Sequence, residues 1–154
     1  MGGCRTARSR GFTLVELMVV LTLLGVLLGV GIPSFRDFIA TQKVKAAAQD
    51  LAMAMLLARS EAIKRNTDVV VQPVSGTAWT TGWTVKVGTT TLMQKEAVED
   101  VTIASPSATT TITFKSTGRP GTDARFQLSG ASSTVRCVRV DAAGVPSTTN
   151  VACT

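Results

Sequence analysis

The chain has 154 residues, with 16 Lys+Arg against 10 Asp+Glu for a formal net charge of +6, and it contains neither His nor Tyr. A hydrophobic content of 45% excludes a wholly disordered chain. The lack of His removes the commonest general base and metal ligand, and with it Ser-His-Asp, Cys-His and most zinc chemistry.

Residues 1–11 carry Arg5, Arg8 and Arg10 with no acid, so half of the net charge sits in a short leader. From Phe12 to Ile32 the chain is apolar with one charged side chain, Glu16. As a helix rising ~1.5 Å per residue, this run spans roughly the 30 Å hydrocarbon core of a bilayer. A secretory signal would have a shorter core ending in an A-x-A-like cleavage site, and none ends this one. The basic flank lies before the span, so the positive-inside rule puts residues 1–11 in the cytoplasm and everything after Pro33 across the membrane.

A carboxylate central to such a span costs about 2.5–3.5 kcal/mol on insertion scales, so Glu16 calls for an explanation. One reading has it near enough to the interface to snorkel. The other pairs it with an amine: cleavage after Gly11 would free the Phe12 amine four residues away, and a neighbouring subunit could supply one too. A buried charge of that kind sets register more than stability. Gly25-x-x-x-Gly29 is a candidate close-packing face, while Gly29, Gly31 and Pro33 weaken the helix and predict a kink or local unwinding.

Gly11-Phe12-Thr13-Leu14-Val15-Glu16, behind a basic leader and ahead of an apolar helix with Pro33, resembles the class III signal of type IV pilins and type II secretion pseudopilins. The resemblance implies cleavage by prepilin peptidase between Gly11 and Phe12 and methylation of the new Phe12 amine. It further implies that Glu16 directs docking into a filament, with other pilins or pseudopilins as partners through the N-terminal helix.

Ser34 to about Asn66 reads as a stem helix. Val44, Ala48, Leu51, Met55, Ala58 and Ala62 recur at three- and four-residue steps, and Lys64-Arg65-Asn66 supplies a stop signal. After Asn66 the composition switches to Thr, Val, Ser and Gly. Candidate strands are Asp68–Gln72, Trp83–Val87, Thr90–Gln94, Val101–Ala104, Thr111–Phe114, Phe126–Leu128 and Val135–Val140, separated by turn formers such as Gly88, Gly118 and Gly130. Trp79, Trp83, Phe114 and Phe126 are the expected large core residues, although either Trp could instead offer a stacking surface to a ligand.

The expected fold class is therefore α+β: a long N-terminal helix, transmembrane in its first half and amphipathic in its second, packed on an antiparallel β-sheet or sandwich head of the type IV pilin kind. The expected divisions are a leader at 1–11, an assembly helix at 12–33, a stem at 34–66 and a periplasmic head at 67–154. The stem ending Leu57-Ala58-Arg59-Ser60-Glu61-Ala62-Ile63, the Gly82-Trp83 strand, and Ile112-Thr113-Phe114 leading to Gly118-Arg119 resemble the FimT/GspH family of minor pilins and minor pseudopilins.

With Cys4 discarded in the leader, Cys137 and Cys153 remain as an even pair in a compartment where disulfides persist. A bridge would pin the tail from Asp141 onward to the strand carrying Cys137 and contribute roughly 3 kcal/mol in the chain-entropy model; two free thiols are the alternative. No G-x-S-x-G, H-E-x-x-H, P-loop or C-x-x-C occurs, so neither an enzyme nor a metal or cofactor site is expected.

Some FimT-like proteins bind DNA in natural transformation, and Lys115, Arg119, Arg125, Arg136 and Arg139 are the candidates for such contacts here. Arg136 and Arg139, three apart on a strand, would face opposite ways. Where the DNA-binding members carry a G-R-x-R-type motif, this chain has Gly144-Val145-Pro146-Ser147, which disfavours DNA as a partner. The sequence thus reads as a single-pass inner-membrane minor pilin or pseudopilin, with a head that is periplasmic or, in an assembled pilus, extracellular.

Overall fold

A computed structural model describes residues 11–153, the side chains of 30–33 excepted. The chain forms one helix, α1 (Leu14–Arg65), followed by eight strands: β1 (Val69–Pro73), β2 (Gly82–Val87), β3 (Thr90–Glu96), β4 (Val101–Ala104), β5 (Ile112–Phe114), β6 (Ala124–Gly130), β7 (Val135–Val140) and β8 (Pro146–Thr149). It divides into two compact units, residues 1–36 and 37–154.

In the first unit, Thr13 caps the start of α1: its hydroxyl oxygen accepts the Glu16 backbone N–H at 3.2 Å, removing one orphan donor of the first turn. The rest of the segment is apolar on all sides, with Leu14, Leu21 and Leu27 exposed. α1 is the one helix among the described residues long and apolar enough to cross a membrane, with a mean hydropathy of 2.5 over its most apolar window. The kink expected at Gly29, Gly31 and Pro33 falls largely on 30–33, where side chains lie outside the described residues. Cys4 lies outside them too.

The second unit holds the core. The C-terminal part of α1 buries Val44, Ala48, Leu51, Met55, Ala58 and Ala62 completely, together with Ala47 and Ala54. The many alanines keep this face flat enough for close approach to strands, and Ala has the best helix propensity. The helix stops where expected: Asn66 adopts φ 49°, a left-handed conformation that Asn tolerates.

The strands form two four-stranded antiparallel sheets, in the orders β3-β2-β1-β5 and β4-β6-β7-β8. Val69 and Val71 in β1, Phe126 and Leu128 in β6, and Val138 and Val140 in β7 alternate into the core with period two. Trp83, Phe114 and Phe126 are fully buried, and Trp79 nearly so. Trp79 meets Phe126 with ring centroids 4.5 Å apart at 60°, and its indole N–H donates to the Thr109 carbonyl at 2.7 Å. Trp83 is thus a core residue, and Trp79, although nearly buried, also lines a surface cleft with Ile103 and Ala108.

One difference from the sequence reading stands out. The tail after Asp141 is not held by a bridge alone: Pro146–Thr149 adds β8 to the edge of the second sheet. Its turn is built by Asp141, whose side-chain oxygen accepts the N–H groups of Ala143 (3.0 Å) and Val145 (2.9 Å). The expected strand at Thr90–Gln94 is present as the edge strand β3, and 105–111 is a loop.

Gly118 and Gly144 explain the spacing of two Gly-containing turns. Both have φ 77°. A Cβ on Gly118 would stand 2.6 Å from Ile63 Cδ1, and one on Gly144 would collide with the carbonyl oxygen of Gly118. The end of the stem, the β5–β6 turn and the β7–β8 turn are stacked in contact through these two positions.

Candidate functional site

At the N-terminal locus, Gly11, Phe12 and Thr13 precede the helix, and Phe12 is 74% exposed. Phe12 thus lies before the cap. Glu16 occupies the third helical position, where the first-turn N–H groups and the helix dipole favour a carboxylate. Thr13-x-x-Glu16 is a capping pattern legible in the sequence that the reading of Glu16 as a membrane anomaly passed over. The carboxylate is exposed, with no hydrogen-bond partner among the described residues.

The stem presents a second uncovered surface. Gln42, Ala46, Gln49, Met53, Leu56, Ser60 and Ile63 are exposed and spaced alternately by four and three residues. That spacing places them on one stripe opposite the buried alanines, and it is the repeat against which a second helix packs. Met53, Leu56 and Ile63 are 65%, 47% and 52% exposed, which is substantial for large apolar side chains.

The five basic candidates on the head do not form one patch. Lys115 is engaged with Asp68 at 2.6 Å. Arg119 lies in the β5–β6 turn, where its carbonyl accepts the Lys115 N–H at 2.9 Å. Arg125 and Arg139 are brought together: they are direct partners in the β6–β7 register, on the side facing away from Phe126 and Val138. Arg136, opposite Leu128 in the same ladder, faces the stem. The alternation of faces along β7 follows from strand geometry, but the Arg125–Arg139 pairing depends on a register that no local pattern encodes.

Arg125 and Arg139 line a cleft of about 250 Å³ with Ser147, Thr149 and the segment 151–153. Its wall is the disulfide between Cys137 and Cys153, with Cα atoms 5.2 Å apart. The Cys153 backbone N–H also donates to the Gln127 side-chain oxygen at 3.3 Å, so the tail is held on both sides. Two arginines opposite one another with hydroxyls at the rim can engage an anionic group.

A family model described as "Type II transport protein GspH" matches residues 47–144, and one described as "Prokaryotic N-terminal methylation motif" matches residues 6–32. The type IV narrow pilus major component PilA5 of Thermus thermophilus is 28% identical over 110 residues, covering 68% of this chain and 95% of that protein. A fimbrial protein of Pseudomonas aeruginosa is 34% identical over 61 residues, 40% of this chain and 39% of its own. Among solved structures, the type IV minor pilin FimU of Pseudomonas aeruginosa aligns with a TM-score of 0.63 at 21% identity, covering 71% of this chain and 90% of FimU. The minor pseudopilin EpsH of the Vibrio cholerae type 2 secretion system aligns at 0.53 and 16% identity, covering 71% and 97%. At these identities the structural likeness speaks for the fold: a long N-terminal helix followed by antiparallel sheets, as in type IV pilins.

Proposed function

Because the chain belongs to the GspH family of type IV pilin-like proteins, we propose that it is a minor pilin whose N-terminal helix enters a filament and whose head primes type IV pilus assembly. The observation that carries this is the contrast within α1. Among the described residues of its apolar first segment none is buried, while the second unit closes its own core. A helix apolar all round is stable only when something else covers it: lipid before assembly, neighbouring helices after.

In this reading prepilin peptidase cuts between Gly11 and Phe12, the Phe12 amine is methylated, and the Glu16 carboxylate meets an amine at the start of a neighbouring subunit's helix. The protein is anchored once in the inner membrane with its head in the periplasm, and it acts by assembly, not by catalysis. Mass spectrometry of the mature protein tests this: the expected N-terminus is N-methylated Phe12, and an intact Met1 in the assembled fraction would overturn it. Glu16→Ala should be processed normally yet fail to enter filaments.

The description of the matched family as a type II transport protein favours a second reading, a minor pseudopilin of a secretion system. Deleting the gene separates the two, since loss of surface pili supports the first and loss of secreted protein the second. The Arg125–Arg139 cleft supports a third reading, DNA capture, which predicts oligonucleotide binding that weakens steeply with salt.

A further inference from the structure

The two flanks of the stem are neutralised unequally. Lys43 and Asp50, two turns apart, are paired with Asp100 and Lys95, each at 2.8 Å. The other flank carries Lys45 and Arg59, and Arg136 of β7 faces it. Among the described residues none of these three cations has an acidic partner. The Nε groups of Arg59 and Arg136 are buried without a hydrogen bond. An orphaned buried N–H on a cation is costly unless an acceptor arrives from outside the chain.

Lys45, Gln49, Arg136 and Thr148 line a notch of about 100 Å³ where the stem meets the edge strand β8. Every lining side chain can donate a hydrogen bond, two carry positive charge, and none is acidic. Lys45 and Gln49 are one helical turn apart, so their side chains rise from the same side of the stem. The notch is open to the surface and has room for a single oxyanion group between Lys45 and Arg136.

We propose that this notch receives the carboxylate of an acidic side chain on the helix of a neighbouring subunit. The choice of occupant rests on the assembly reading above and on Gln49, which lines the notch and also belongs to the uncovered stem stripe. A helix packed along that stripe passes beside the notch, and an Asp or Glu at its edge would complete the Lys45 and Arg136 charges with charge-assisted hydrogen bonds. Glu16 would then set the docking of the membrane segment, and the notch would set the docking of the stem.

The test uses the full-length chain in detergent micelles, with the Arg136 Nε–H resonance as reporter and sodium acetate, inorganic phosphate and a single-stranded oligonucleotide as probes at constant ionic strength. Acetate should move the resonance saturably, and Lys45→Gln should weaken that response up to about fivefold, with Lys45→Arg restoring most of it. No saturable response to acetate would overturn the site. Oligonucleotide binding that requires both Lys45 and Arg136 and is far tighter than acetate would overturn the occupant in favour of nucleic acid.

In cells, Lys45→Glu with Arg136→Glu should accumulate normally, keep the Cys137–Cys153 disulfide, and enter filaments at least about tenfold less than wild type. Normal incorporation of that variant would overturn the neighbouring carboxylate. If wild type itself never enters a filament while acetate still binds, the assembly reading fails and takes this occupant with it, leaving an anion notch of another use.

Discussion

The two parts of α1 use the same kinds of residue to opposite ends. Leu14 and Leu27 are 72% and 69% exposed, whereas Val44, Leu51 and Met55 are fully buried. Burial of apolar surface contributes about 25 cal/mol per Å² wherever it occurs. The second part realises that gain against its own sheets, and the first leaves it to the surroundings. The pattern differs accordingly: one apolar face on the stem, apolar on every side before it. One helix is thus written for two solvents.

Substitutions can break this contrast in order of size. Phe126→Ala should destabilise the head by about 3–5 kcal/mol, read by denaturant unfolding in micelles, while Leu21→Ala should leave head stability unchanged. A comparable loss from Leu21→Ala would mean the N-terminal segment is part of the folding unit after all. Cys137→Ser should cost about 3 kcal/mol, since the bridge closes a loop with a sequence separation of 16. Thr13→Val should cost ~1 kcal/mol, confined to lower amide protection at the start of α1.

The smallest effect is electrostatic and belongs to the second part of α1, within the stem at Glu61 and between stem and head at Lys43. The Arg65 guanidinium, hydrogen-bonded to Glu61, holds that carboxyl below the usual carboxylate range. Its contribution is therefore present at neutral pH and lost as pH falls through the lowered folded-state value. Asp100, hydrogen-bonded to Lys43, holds that ammonium above the ordinary lysine value, so its contribution is present below the ordinary value and lost as pH rises through the raised one. Glu61→Gln should flatten the acid limb of the thermal stability profile, and Lys43→Met the alkaline limb.

Local pattern carried the stem face, the stop at Asn66, the four aromatic core residues and seven strands, because each is set by periodicity or by a turn former nearby. A sandwich was among the expected heads, but the assignment of strands to its two sheets was not legible, since pairing partners lie far apart in the chain. β8 was hidden because Pro146 opens it directly after a Gly-containing turn, a stretch that reads as punctuation until the Asp141 hydrogen bonds are seen. The same limit applies to function. The Gly11-Phe12 junction and Glu16 are contiguous and were visible, whereas the Lys45–Arg136 notch joins residues of the stem to a strand that only the fold brings near.

The stacking of Ile63, Gly118 and Gly144 has a mechanical consequence. The Gly118 turn leads out of β5 in one sheet into β6 in the other, and the Gly144 turn joins β7 to β8. Because neither turn leaves room for a Cβ, a side chain at Gly118 or Gly144 would pry apart the last turn of the stem, the link between the sheets and the approach to β8 together. These two hydrogens act as the clearance of a fitted joint: small as they are, the seating of three elements depends on them.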